Sequence, residues 1–114
     1  MHELSVANNL VSKAQELLKE YHAKKALAIY VRIGELSSIE KENLEFCYGV
    51  LAESLPEFKE CHLLIEVTKW AVKCSECGNI YYPDEHLLRC PQCNSQNSIL
   101  VSGNELDFIR MEAE

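Results

Sequence analysis

From Leu4 to Tyr21 the apolar residues Leu4, Ala7, Leu10, Val11, Ala14, Leu17, Leu18 and Tyr21 recur every three or four positions, and Lys13, Gln15, Glu16, Lys19 and Glu20 fill the other face. That period predicts an amphipathic helix starting almost at residue 3. Over Lys25 to Leu36 the period changes to two: Leu27, Ile29, Val31 and Ile33 alternate with Ala28, Tyr30, Arg32 and Gly34, which predicts a strand with one face on the core. Ser37-Ser38-Ile39-Glu40 has the spacing of a capping box and predicts a second helix through Leu44, Cys47, Tyr48 and Leu51, ending before Pro56. His62 to Lys73, rich in β-branched and aromatic residues, predicts one further strand. Another, carrying Leu106, Phe108, Ile109 and Met111, follows the turn at Ser102-Gly103-Asn104.

This order predicts an α/β fold in which two helices pack on one face of a small three-stranded sheet. Residues 73–99 then form an insertion between the second and third strands, which are expected to pair antiparallel as a long hairpin. The expected division is residues 1–72 with 100–114 as one domain and residues 73–99 as the other.

The chain has 114 residues, 47% of them hydrophobic, enough for one compact core and a small satellite that needs its own staple. A net charge of −7 repels phosphate backbones and anionic lipid, so neither nucleic acid nor membrane is expected as a partner. No segment approaches the roughly 18 apolar residues of a spanning helix. The first residues include His2, Glu3, Asn8 and Asn9 rather than a basic segment and a hydrophobic run, so a cytoplasmic location is expected.

The chain has six cysteines, and four of them form two CxxC pairs, Cys74 and Cys77 followed by Cys90 and Cys93. Two residues between thiolates let both sulfurs of a tight turn face one ion, and two such turns complete a tetrahedron. Gly78 and Asn94, each just after a second cysteine, suit the left-handed backbone that closes such a turn. The expectation is a closed structural zinc ribbon with no open position for a substrate. Its basic residues, Lys73 and Arg89, are outnumbered by Glu76, Asp84 and Glu85, so it lacks the cationic stripe of a nucleic-acid reader. A redox dithiol at either pair is the competing reading, and paired motifs favour shared ligation over it. Cys47 and Cys61 read as small core residues, His22 and His86 as residues of exposed connections, and His62 as the start of a strand.

The first three residues, Met1-His2-Glu3, offer an amine, the His2 amide nitrogen and the His2 imidazole in succession. The amine and amide close a five-membered ring on a metal, and the amide and Nδ1 close a six-membered one. Three nitrogens in a plane, with a fourth position for Glu3 or water, suit Ni(II) or Cu(II) and disfavour tetrahedral zinc. A helix N-terminus repels a cation by a few tenths to about 1 kcal/mol, which favours a site that can release its ion. The same residues also suit a plain solvated helix start, and spacing alone leaves both readings open.

MHELS at the start, VRIGELS in the first strand, and CxxC with CPxC in the last third resemble the HypA/HybF-type nickel metallochaperones of [NiFe]-hydrogenase maturation. The resemblance runs along nearly the whole chain. It implies a non-enzymatic carrier with His2 as nickel ligand beside the Met1 amine and Glu3, and with structural zinc on Cys74, Cys77, Cys90 and Cys93. It further implies delivery to the hydrogenase large subunit together with the GTPase HypB. Service to urease through its accessory proteins, and a homodimer, stay open. The competing reading is a zinc-ribbon adapter with an inert N-terminus.

Overall fold

The computed structural model describes residues 3–114. Helix α1 spans Glu3–Glu20 and strand β1 Ala26–Gly34; after a 3-10 turn at Glu35–Ser37 come helix α2, Lys41–Glu53, a second 3-10 turn at Pro56–Phe58, and strand β2, His62–Thr68. Strands β3 (Ala71–Cys74), β4 (Ile80–Tyr81), β5 (Ser98–Ser102) and β6 (Leu106–Ala113) complete the chain.

Two helices and a three-stranded sheet of order β2-β1-β6 form the larger layer pair, as the periodicity predicts. Ile29, Val31 and Ile33 of β1 are fully buried beneath Val6, Ala7, Leu10, Val11, Ala14 and Leu18 of α1 and Leu44, Tyr48 and Ala52 of α2. The α1 stripe starts at Val6; Leu4 and Tyr21, at the two ends of the predicted stripe, are exposed.

Three expectations need correction. The predicted strand from His62 to Lys73 is two strands in two sheets, because the chain leaves the first sheet at Lys69 and Trp70. The strands flanking the insertion are not neighbours in the main sheet. β1 lies between them, parallel to β2 and antiparallel to β6. The physical reason is that α2 connects β1 to β2 as a crossover, and a crossover joins parallel neighbours. The antiparallel pairing expected on either side of the insertion exists further along, where β3 and β5 pair in a second sheet of order β4-β3-β5. The molecule is therefore forked: β2 and β6 diverge around β1, and their continuations β3 and β5 close on each other beyond its end.

The third correction concerns the cap of α2. Ser38 takes φ 63° at the end of the 3-10 turn, so the serine pair cannot cap the helix. Glu40 is the N-cap residue, in extended backbone, and its carboxylate instead accepts Asn43 Nδ2 at 2.7 Å. Ile39 before the cap and Leu44 one turn on are buried in one core, the arrangement of a hydrophobic staple.

At the fork, Gly34 N–H donates to Glu105 O at 2.8 Å, and Leu36 N–H donates to Gly103 O at 2.6 Å. The Glu105 carboxylate accepts Thr68 Oγ1 at 2.6 Å and Gly103 N–H at 2.8 Å, and Glu35 accepts Trp70 N–H at 3.3 Å. β6 carries a bulge opposite Tyr30 and Val31, with Ile109 unpaired between Arg110 and Phe108. The extra residue lets Phe108 and Met111 both reach the core although they are three apart.

Candidate metal centres

Beyond the fork, β3 ends in Cys74, and the chain turns through Ser75 and Glu76 to Cys77. Gly78 N–H donates to Cys74 O at 3.0 Å, and Cys74 N–H to Asn79 O at 2.8 Å. The second turn repeats the pattern: Asn94 N–H donates to Cys90 O at 2.8 Å and Cys90 N–H to Ser95 O at 2.9 Å. Gly78 and Asn94 hold φ of 78° and 63°, the left-handed conformation expected of them.

The two turns bring four sulfurs together, all within 4.8 Å of one another. Cys74 Sγ lies 3.5 Å from Cys93 Sγ, and Cys77 Sγ lies 3.5 Å from Cys90 Sγ. A disulfide would need about 2.05 Å, whereas the edge of a tetrahedron with metal–sulfur bonds of about 2.3 Å is about 3.8 Å. The spacing is that of four ligands around one ion. Cys74 and Cys90 are buried, and Cys77 and Cys93 are exposed.

The backbone also stabilises negative sulfur. The Cys77 N–H, with that of Glu76, holds the Cys74 thiol below its ordinary value against the effect of burial. At Cys90 burial opposes ionisation, but the N–H groups of Cys93 and Gln92 and the side chains of Cys77 and Asn79 bring it down to about 6. Cys77 and Cys93 behave oppositely. Each receives one N–H, from Asn79 and Ser95, but burial and then the Cys90 and Cys74 thiols raise Cys77, while the Cys74 thiol, burial and the other two thiols raise Cys93 to about 12. A divalent cation held by these four sulfurs would favour the thiolate form of each. Asn79 is a participant the sequence reading missed: its backbone serves both Cys74 and Cys77, and its Nδ2 lies 3.8 Å from Cys90 Sγ. Its place next to the turn-closing Gly78 was the available signal.

Around these sulfurs the apolar support is slight. Val72 and Tyr81 are buried with Cys74 and Cys90, and Trp70 and Leu87 pack against them. The two remaining cysteines lie in the main core: Cys61 is buried, which raises its thiol, and Cys47 packs partly buried against the core. His22 is exposed in the α1–β1 connection, His62 is exposed at the start of β2, and His86 lies exposed in a turn where its N–H donates to Asp84 Oδ1.

Of the three N-terminal residues, Met1 and His2 lie outside the described residues. Glu3 opens α1, and its Oε2 accepts the N–H of Glu40 at 3.3 Å. The first turn of α1 therefore lies against the N-cap of α2. Sequence spacing gave no sign of this, because the two residues are 37 apart.

The family profile described as "Hydrogenase/urease nickel incorporation, metallochaperone, hypA" matches residues 1–113. The chain belongs to the HypA family. It is 33% identical to a hydrogenase maturation factor HypA of Chloroflexus aggregans over 98% of each chain. A HypA of Aquifex aeolicus is 31% identical over all of this chain and 98% of that one. The solution structure of the Ni metallochaperone HypA from Helicobacter pylori superposes with a TM-score of 0.67 at 29% identity, covering 99% of this chain and 97% of that one. A second HypA solution structure gives 0.75 at the same identity, covering all of this chain and 97% of that one. HypA membership assigns the chain to nickel incorporation in hydrogenase maturation, the role of a metallochaperone, and the four-cysteine cluster fits the zinc ribbon expected from spacing. Among the described residues no helix is long and apolar enough to cross a membrane.

Proposed function

We propose that this chain is a nickel carrier that binds Ni(II) at its N-terminus and releases it, without catalysing a reaction, for maturation of a [NiFe]-hydrogenase. The observation that carries this reading is the family match from residue 1 to 113, which includes the Met1-His2-Glu3 start. The Met1 amine, His2 amide nitrogen and His2 imidazole supply three donors, with Glu3 beside them. The bond from Glu40 N–H to the Glu3 carboxylate supports a positioning role for that carboxylate. That carboxylate neutralises part of the positive end of α1 and ties the first turn of α1 to the head of α2.

In the same reading Zn(II) is bound by Cys74, Cys77, Cys90 and Cys93 as a structural ion. Residues 1–72 with 100–114 form the nickel domain, and residues 73–99 the ribbon. The partners are the GTPase HypB and the hydrogenase large subunit, and the place of work is the cytoplasm. Urease is a second destination consistent with the family's description.

Replacing the protein in its own cell by His2→Ala tests the reading. Hydrogenase activity should fall to the level of the deletion and recover with excess nickel in the medium. Full activity with His2→Ala at trace nickel would overturn it.

A further inference from the structure

The outward side of α2 is not built as a solvated helix face. Phe46 is 73% exposed and Val50, one turn on, is 51% exposed. Between them Gly49 leaves the backbone bare, and a Cβ there would meet nothing within 4 Å. Glycine inside a helix weakens it relative to alanine, and here no internal contact requires it.

At about 3.6 residues per turn, Glu42, Phe46, Gly49, Val50 and Glu53 fall on one stripe with Glu45 at its side. Two carboxylates about 16 Å apart therefore bracket an apolar ridge, at a rise of about 1.5 Å per residue. Among the described residues none of these three glutamates has a cationic partner. The opposite side of α2 is anchored by Leu44, Tyr48 and Ala52, so the outward residues are not needed to hold the helix in place.

We infer that this face of α2 is the docking surface for an amphipathic helix of another protein that presents an apolar ridge between two cationic side chains. The bare backbone at Gly49 allows close approach, Phe46 supplies the anchor, and the glutamates select the charge. A second copy of this chain is a poor occupant, since two such faces oppose carboxylate to carboxylate. The inference goes beyond the nickel reading and requires neither His2 nor a free amine.

The probe is a synthetic helix-forming peptide with two leucines one turn apart and an arginine one turn beyond each. Its twin carries glutamates in place of the arginines. Both are titrated into the full chain and followed by peptide fluorescence anisotropy and by amide chemical shifts of the protein. The arginine peptide should bind with shifts along α2, and binding should weaken with salt. Phe46→Ala should cost about ten-fold in affinity without a change in melting temperature. Gly49→Ala should raise the melting temperature and still weaken binding, while His2→Ala leaves binding unchanged. No binding, equal binding of the two peptides, or binding indifferent to Phe46→Ala would overturn the inference.

Discussion

The carbonyl of Gly103 occupies the place where a side chain on Gly34 would have to sit, and it accepts the N–H of Leu36 at 2.6 Å. These two glycines close the fork. β1 ends at Gly34, and the chain passing from β5 to β6 crosses it at Gly103, whose φ of 121° and closeness to the Trp70 backbone also require glycine.

Gly34→Ala should therefore destabilise the protein by roughly 1–3 kcal/mol or more, because the obstacle is backbone and cannot turn aside. Alanine at Gly49, which faces open space, should instead stabilise α2 by about 1 kcal/mol. Urea unfolding of the two variants checks both signs. A Gly34→Ala chain as stable as the parent would remove the fork as the joint between the two sheets.

Metal removal should act on one sheet only. The buried groups around the sulfurs are few, whereas the main core runs separately through α1, α2, β1 and Phe58. A strong chelator, or Cys90→Ala, should collapse the amide dispersion of residues 75–97 while the signals of α1 and β1 keep their positions. Uniform loss of dispersion along the chain would mean that the two parts fold as one unit.

The Glu105 carboxylate gives the fork a pH dependence. Thr68 Oγ1 and then the Gly103 N–H hold it below its ordinary value of 4.5. A carboxyl depressed in the folded state contributes stability above its unfolded value, and that stability is lost as pH falls through the folded value. Stability should therefore drop on acidification below 4.5, and Glu105→Gln should be less stable at neutral pH and show a shallower acid loss. Denaturation curves at neutral pH and in acid for both proteins decide this. Parallel acid losses would assign the effect to other carboxylates.

Much of this was legible in the sequence because burial imposes a period. The α1 stripe, the alternation in β1 from Ile29 to Ile33 and the two cysteine turns were each read from spacing, down to the left-handed Gly78 and Asn94, whereas at the irregular start of β1 Ala28 rather than Leu27 is buried. The break between β2 and β3 was not, because Lys69-Trp70 contains no glycine or proline and both flanks suit strands. Only the tertiary fork interrupts the pairing there. The two residues of β4 are too few to show a period. The serines before α2 carried the right chemistry for a cap, but the preceding turn uses Ser38 in a left-handed conformation and passes the cap to Glu40. In VRIGELS, a segment that carried the family resemblance, Gly34 and Glu35 are fork residues. Glu3 was picked out by its position in the sequence, while its contact with Glu40 is a product of folding.

The central claim is that a free N-terminal amine followed by His2 holds nickel. It is tested most directly by equilibrium dialysis against Ni(II), followed by nickel and zinc analysis. Three proteins are compared: one with its native start, one with two residues added before Met1, and His2→Ala. The account predicts about one zinc per chain in all three, held by the closed four-thiolate site, and nickel on the native start alone. Equal nickel on all three, or none on any, would contradict it and leave a zinc-ribbon adapter as the better description.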